Sequence, residues 1–142
     1  MEIRENRVVI LGAGIGAMAM GFENASCKVV AAYEHDERAR DLYENNAKDK
    51  TYKIGELDYN NFEEIPDMDI LACDFRRGFS FTSAGMGKTY HFRNAVKAVV
   101  EFKQPKKVFF LVPCGYARLK PFKALLDYLK ACLLYTSPSP RD

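Results

Sequence analysis

Residues Val8–Ala17 read VVILGAGIGA, an apolar run that passes into alternating glycines. The run predicts a buried β-strand, and the glycines let the backbone turn sharply into a helix whose N-terminus carries no obstructing side chains. A nucleotide or nucleoside can lie against such a helix end. About 20 residues on, Glu34 closes a second apolar run, where folds of this kind place a carboxylate for ribose hydroxyls. The pattern predicts a cofactor-binding chain and leaves the cofactor open.

The composition indicates one globular domain or part of one. The 142 residues are 48% hydrophobic, enough for a core, and a net charge of +2 is too small to indicate a nucleic-acid partner by itself. The four cysteines and two histidines lack metal-ligand spacing, so we expect reduced thiols and no metal site. No apolar stretch approaches the ~20 residues of a membrane span, and the charged N-terminus is unlike a signal peptide. We expect an intracellular protein with no membrane partner, cytoplasmic if its source is prokaryotic or viral.

Apolar runs and amphipathic stretches alternate along the chain, which predicts an α/β fold with a Rossmann-like, doubly wound, mainly parallel sheet. The continuous apolar run of the last strand predicts that both of its faces are covered. The predicted strands are Arg7–Leu11, Lys28–Tyr33, Tyr52–Ile54, Asp69–Cys73 and Lys107–Val112. The predicted helices are Ala17–Asn24, Glu37–Asn46, Tyr90–Lys103 and Pro121–Ala131.

The last eleven residues differ in character from the rest of the chain. Cys132–Asp142 reads CLLYTSPSPRD, which interrupts the last predicted helix and ends in Ser-Pro repeats. The segment can be back-translated into a sequence that resembles a transposase-type sequencing adapter read in frame; the alternative is an ordinary disordered tail. We expect residues 1–131 to be a partial, truncated domain and residues 132–142 to be adapter-derived.

The order of motifs after the glycine loop resembles that of DNA cytosine-5 methyltransferases. Residues 13–16 (AGIG) resemble the first motif of that family, a glycine-rich turn that cradles S-adenosylmethionine; residues 33–36 (YEHD) resemble the second motif, and residues 54–57 (IGEL) resemble the third. The order holds from about Val8 to Tyr128. The resemblance implies the fold of S-adenosylmethionine-dependent methyltransferases, with S-adenosylmethionine as cofactor and DNA as partner. The cofactor-binding residues that it implies are Gly12, Ala13, Gly14, Ile15, Gly16, Glu34, His35 and Glu56.

The chain departs from the family where the chemistry takes place. The family attacks cytosine C6 with the cysteine of a Pro-Cys dipeptide, and the glutamate of a Glu-Asn-Val motif assists, so that C5 accepts the methyl group. Residues 74–80 read DFRRGFS, with Arg76 and Arg77 in the Pro-Cys place, and residues 111–113 read LVP in place of Glu-Asn-Val. We therefore expect methyl transfer to cytosine C5 as the family activity and an inactive chain with no identified catalytic residue.

A few residues near the altered loop remain candidates for a role. Cys114 follows the fifth strand, near the point where the carboxyl edges of the strands converge, so it is a candidate for a relocated nucleophile. Cys73 lies within a strand and is predicted to be a small buried hydrophobe rather than a nucleophile. Arg76, Arg77 and Ser80 are candidate DNA contacts because guanidinium groups bind phosphate; the alternative is that the two arginines are solvated loop residues.

Two further classes of function stay open at this stage. Gly12-x-Gly14-x-x-Ala17 also fits the dinucleotide fingerprint, which would make the chain part of an NAD- or FAD-dependent oxidoreductase. The missing catalytic groups make a binding module without catalysis a third hypothesis. The motifs after the glycine loop favour S-adenosylmethionine over a dinucleotide.

Overall fold

The computed structural model describes residues 4–49, 51–58, 60–75 and 83–132, and for residues 83–91 it describes the backbone alone. Strands and helices alternate throughout these residues. The strands are β1 (Arg7–Leu11), β2 (Lys28–Tyr33), β3 (Lys53–Gly55), β4 (Ile70–Asp74) and β5 (Lys107–Leu111). The helices are α1 (Ala17–Asn24), α2 (Glu37–Asn46), α3 (Ser83–Lys103), α4 (Cys114–Ala117) and α5 (Lys120–Cys132), with a 3-10 turn at Phe62–Glu64.

All five strands pair in parallel, in the order β3-β2-β1-β4-β5, which confirms the predicted doubly wound sheet. The chain moves from β1 outward to β3 and then returns to the other side of β1 to form β4. Leu11 pairs with Tyr33 on one side and with Cys73 on the other. The loops that follow these three strands therefore meet at the carboxyl edge, at the switch point where α/β sheets bind ligands.

The sheet separates two hydrophobic clusters, and alternate residues of β1 supply them. Val9 and Leu11 pack into the larger cluster, with α3 and α5, whereas Val8 and Ile10 pack into the cluster beneath α1 and α2. All four side chains are fully buried, and each such burial contributes about 1.5–3 kcal/mol relative to exposure. The strand that carries the glycine loop is therefore held firmly on both faces.

The structure corrects the prediction that both faces of the last strand are covered. β5 pairs only with β4 among the described strands, and its faces differ in exposure. Phe110 packs against Phe75 and Phe122, whereas Phe109 is 45% exposed and makes an edge-on contact with Phe22 of α1. An apolar run does not reveal whether a strand lies at the edge of a sheet or in its centre.

Several predicted element boundaries also shift. α3 begins at Ser83 rather than Tyr90, and α5 continues through Cys132, so the helix is not interrupted at that residue. Both β3 and β4 begin and end one residue later than predicted. Residues 133–142 lie outside the described part of the chain, and the adapter origin of the tail stays a prediction. No helix within the described ranges is long and apolar enough to span a membrane.

Asp69 joins the amino ends of three strands, at the edge opposite the glycine loop. Its Oδ2 accepts a hydrogen bond of 2.9 Å from the Arg7 amide, and its own amide donates to the Arg7 carbonyl at 2.9 Å. The ammonium group of Lys106 lies 3.0 Å from Oδ1. These contacts, led by the Arg7 hydrogen bond, lower the pKa of Asp69. We infer a structural role for Asp69, distant from the site below.

Candidate cofactor site at the switch point

The glycine loop after β1 takes a backbone path that only glycine follows easily. Gly12, Gly14 and Gly16 have φ angles of +74°, +59° and +100°, in the region that L side chains rarely occupy. A Cβ on Gly12 would lie 2.6 Å from the carbonyl oxygen of Asp74 at the end of β4. The loop therefore lies directly against the neighbouring strand, and the amides of Gly12 and Ala13 both donate to the Tyr33 carbonyl at 2.9 Å.

Glu34, the residue after β2, is buried and faces this loop. Its side chain is 2% exposed. Oε2 accepts a hydrogen bond of 2.6 Å from the Gly14 amide, and Oε1 accepts one of 3.0 Å from the Asp36 amide. Nδ1 of His35 lies 3.0 Å from Oε1, and the guanidinium of Arg40 donates to the Glu34 carbonyl at 2.6 Å. Glu34 is thus fixed by its backbone and by both carboxylate oxygens.

A cleft lies at the carboxyl ends of β1 and β2, and four of the predicted cofactor-binding residues line it. Glu56 reaches the cleft because β3 pairs with β2; the Glu34 amide donates to the Gly55 carbonyl at 2.9 Å. Glu34 is buried at the cleft floor, whereas Glu56 is exposed at the rim. The residues that line the cleft are Leu11, Gly12, Tyr33, Glu34, His35, Glu56, Leu57 and Phe92.

The remaining predicted loop residues do not line this cleft. Ala13 is buried beneath the loop in the cluster under α1. Ile15, 47% exposed, and Gly16 lie on the opposite side of the loop, where they border a second small cleft formed with Tyr43 and Tyr52. The structure therefore brings Gly12, Glu34, His35 and Glu56 together and places Ile15 and Gly16 apart from them.

The sequence alone does not reveal the apolar wall of the cleft. Phe92 lies on α3, and its ring tip would lie 3.6 Å from a Cβ on Gly12. Tyr33 also lines the cleft, and its buried hydroxyl has no hydrogen-bond partner among the residues that the structure describes. Burial, followed by the charge of Glu64, raises the pKa of Tyr33.

Asp74 also lies beside the glycine loop, although the sequence does not mark it as a site residue. It ends β4 beside Gly12 and is 5% exposed. Its side chain is not among those that line the cleft. Its carbonyl oxygen closes one side of the glycine loop.

The two candidate nucleophiles occupy opposite environments. Cys73 is fully buried inside β4, and burial raises the pKa of its thiol well above the usual range, which disfavours the reactive thiolate. Cys114 is exposed and begins α4 directly after Pro113. The candidate DNA contacts Arg76, Arg77 and Ser80 lie outside the described residues. In the part of the chain that is described, no three His, Cys, Asp or Glu side chains cluster as metal ligands would.

Comparison with known proteins gives a consistent family. The sequence profile described as C-5 cytosine-specific DNA methylase matches residues 7–110. The type II methyltransferase M.HaeII of Haemophilus aegyptius is 34% identical over 110 residues, which cover 73% of this chain and 33% of that protein. M.BsuFI of Bacillus subtilis is 33% identical over 130 residues, covering 85% of this chain and 31% of that protein. The chain thus spans about one third of the length of these relatives.

The fold is similar to that of a solved structure. The structure of S. pombe Dnmt2 methyltransferase superposes with a TM-score of 0.67 over 90% of this chain and 40% of that one, at 18% sequence identity. At this identity the match concerns the fold alone. It supports the parallel sheet and the position of the switch point.

Proposed function

Because the chain belongs to the C-5 cytosine-specific DNA methylase family, we propose that it binds S-adenosylmethionine in the cleft between Gly12, Glu34 and Glu56. The observation that carries the proposal is the Glu34 carboxylate. It is buried, it follows β2 at the switch point, and it is tied to the loop amide of Gly14 at 2.6 Å. A carboxylate fixed in this way can accept hydrogen bonds from ribose hydroxyls without further ordering.

The chemistry of the cleft suits this cofactor. Oε2 of Glu34, which accepts from the Gly14 amide, has a second lone pair for a ribose hydroxyl, whereas Oε1 already faces the Asp36 amide and Nδ1 of His35. Glu56 at the rim can accept a hydrogen bond from an adenine amino group, and Phe92 supplies an apolar wall. None of the described lining residues is a lysine or an arginine, and two are carboxylates, so the lining offers hydrogen-bond acceptors and lacks the cations that bind phosphate groups. When bound, S-adenosylmethionine supplies the methyl group as part of a cationic sulfonium.

A dinucleotide fits less well for a specific reason. The fingerprint Gly12-x-Gly14-x-x-Ala17 binds a pyrophosphate through backbone approach at the second glycine. Here the amide of Gly14 donates to Glu34 instead. A pyrophosphate at this position would meet a buried carboxylate within about hydrogen-bonding distance of the loop, which is repulsive. We therefore place the oxidoreductase hypothesis second.

We further propose that the longer protein acts on DNA and that this chain does not itself transfer the methyl group to cytosine C5. Attack on the base requires an accessible thiolate. Cys73 is buried with a raised pKa, and the sequence has Arg76 and Arg77 where the family has Pro-Cys. In this proposal the arginines and Ser80 contact DNA phosphates, and the domain is a non-catalytic binding module that holds the cofactor.

Calorimetric titration of the purified chain tests cofactor binding. We expect saturable binding of S-adenosylmethionine, weaker or no binding of NADH, and loss of S-adenosylmethionine binding in Glu34→Ala. Glu101→Ala is the matched control, because Glu101 is an exposed carboxylate on α3 outside the cleft. Tight binding of NADH without a response to S-adenosylmethionine would contradict the proposal.

Covalent trapping tests the absence of catalysis. DNA that contains 5-fluorocytosine captures a methyltransferase nucleophile as a stable adduct in the presence of S-adenosylmethionine. We expect no adduct with this chain. An adduct that disappears in Cys114→Ala would show that the exposed cysteine has replaced the missing nucleophile, and the proposed lack of activity would be wrong.

A further inference from the structure

The second half of the glycine loop rests on an aromatic ring from α2. Gly16 has a φ angle of +100° and precedes the first residue of α1. A Cβ on Gly16 would lie 3.3 Å from Cδ2 of Tyr43 and 3.4 Å from Cε2 and Cγ of the same ring. Tyr43 is 1% exposed, so the ring is packed on its other sides as well. Ile15, the neighbouring loop residue, is half exposed and cannot anchor the loop in the same way.

The Tyr43 ring is itself held in place. Its hydroxyl lies 2.7 Å from that of Tyr52, and the two rings are nearly perpendicular, with centroids 6.4 Å apart. Burial is the main reason that the pKa of Tyr52 is raised, and the nearby carboxylate of Glu23 raises it further. Either hydroxyl can be the donor in this hydrogen bond. The bond connects α2 to the segment before β3.

We propose that Tyr43 is a positioning residue for S-adenosylmethionine binding; this inference rests on the proposed function. The amides of Gly12 and Ala13 fix the first half of the loop by donating hydrogen bonds to the Tyr33 carbonyl. The amide of Gly14 fixes its centre by donating to the Glu34 carboxylate. The ring of Tyr43 fixes the last part, at Gly16. Without the ring, the Gly16 turn and the start of α1 can shift, and the Gly14 amide loses its alignment with Glu34. Tyr43 does not line the cofactor cleft, so its effect on binding is exerted through the loop.

Three variants separate the ring from its hydroxyl. Tyr43→Leu removes the ring, whereas Tyr43→Phe and Tyr52→Phe each remove the same hydrogen bond and keep both rings. The Kd for S-adenosylmethionine is measured by calorimetry, at a temperature below the melting temperature of every variant. We expect it to rise about tenfold in Tyr43→Leu. In Tyr43→Phe and Tyr52→Phe it should rise by less than about threefold, because both rings remain.

Local and global effects are distinguished by the loop amides. In ¹H–¹⁵N spectra, we expect Tyr43→Leu to shift and broaden the Gly14 and Gly16 signals while leaving that of Val9, in the centre of β1, in place. A residue with only a general packing role would lower the melting temperature and leave both the Kd and the glycine signals unchanged. That result would overturn the proposal, as would a Kd for Tyr43→Leu no higher than that for Tyr43→Phe.

A double-mutant comparison tests the contact directly. Gly16→Ala adds a Cβ that meets the Tyr43 ring. The shift that it causes in the Gly14 amide signal should therefore be larger in the wild-type background than in the Tyr43→Leu background. Equal effects in both backgrounds would show that the two residues are not coupled. If Tyr43→Leu does not fold, Gly16→Ala in the wild-type background decides the question, because a Cβ that meets the Tyr43 ring should shift the Gly14 signal, and an unchanged Gly14 signal would overturn the proposal. Wild-type chain that binds no S-adenosylmethionine would refute the proposed function, whereas the loop signals would still test the role of Tyr43.

Discussion

The amide of Gly14 donates a hydrogen bond of 2.6 Å to the carboxylate of Glu34, which lies 20 residues further along the chain. The second carboxylate oxygen accepts from the Asp36 amide at 3.0 Å. Two backbone donors therefore require two acceptor atoms at the same side chain. This requirement explains why a buried carboxylate, and not an isosteric amide, suits this position.

Replacement of Glu34 by glutamine should lower the free energy of unfolding although the two side chains have nearly the same size. One end of a glutamine amide is a donor, and it would face either the Gly14 or the Asp36 amide. A buried donor left without an acceptor costs about 1–3 kcal/mol. We expect Glu34→Gln to lower the free energy of unfolding by this amount and to weaken S-adenosylmethionine binding, as measured by urea denaturation and calorimetry. Unchanged stability in Glu34→Gln would mean that these hydrogen bonds do not form in solution.

Two glycine-to-alanine substitutions should change the free energy of unfolding in opposite directions. Gly12→Ala places a methyl group 2.6 Å from the Asp74 carbonyl at a φ of +74°, so we expect a loss of about 2–4 kcal/mol in the free energy of unfolding. Gly21→Ala lies inside α1 with open space around the new methyl group, so we expect a gain of about 0.5–1 kcal/mol. Thermal denaturation measures both. Similar shifts in the two variants would contradict the loop geometry.

Acidification should test the role of Asp69. Because the Arg7 amide and then Lys106 lower the pKa of Asp69 in the folded state, its contribution is present above the unfolded pKa of about 3.9 and is lost as the pH falls through the lower, folded pKa. We expect Asp69→Asn to be less stable than the wild type at pH 7 and the difference between them to narrow below about pH 4. Urea denaturation across this range measures the effect.

The control for this experiment is Asp67→Asn. Asp67 is 86% exposed and contacts only Lys103, at 3.5 Å, among the described residues. An exposed pair of this kind contributes little, so the stability of Asp67→Asn should follow that of the wild type at every pH. A difference between wild type and Asp69→Asn that stays constant down to pH 2 would show that the Asp69 carboxylate does not carry the effect.

The glycine loop and Glu34 could be predicted from sequence because their signals are local. An apolar run that passes into glycines fixes the turn, and the spacing to the end of the next apolar run identifies the acid. The family resemblance added Glu56, which does reach the same cleft. The parallel sheet could be predicted from the alternation of strands and helices, since a helix between two strands lets the second strand run in the same direction as the first.

The rest of the site depends on contacts between residues distant in sequence. Phe92 follows Gly12 by 80 positions and reaches the cleft only because α3 packs across the sheet. Tyr33 ends an apolar run, and the residues next to it in sequence do not show that its hydroxyl is left without a partner among the described residues. The exposure of Phe109 depends on what lies beside β5, which an apolar run does not encode. Such features follow from packing and not from local preference.

Cysteine reactivity offers the most direct test of whether either candidate thiol could serve as a nucleophile. Cys114 is exposed, so iodoacetamide should modify it in the native chain. Cys73 is fully buried and its pKa is raised by burial, so it should react only after unfolding, at least about 10³-fold more slowly. Peptide mass mapping after timed alkylation, with and without urea, distinguishes the two. Native modification of Cys73 at the rate of Cys114 would mean that β4 opens, and Cys73 would then return as a candidate nucleophile.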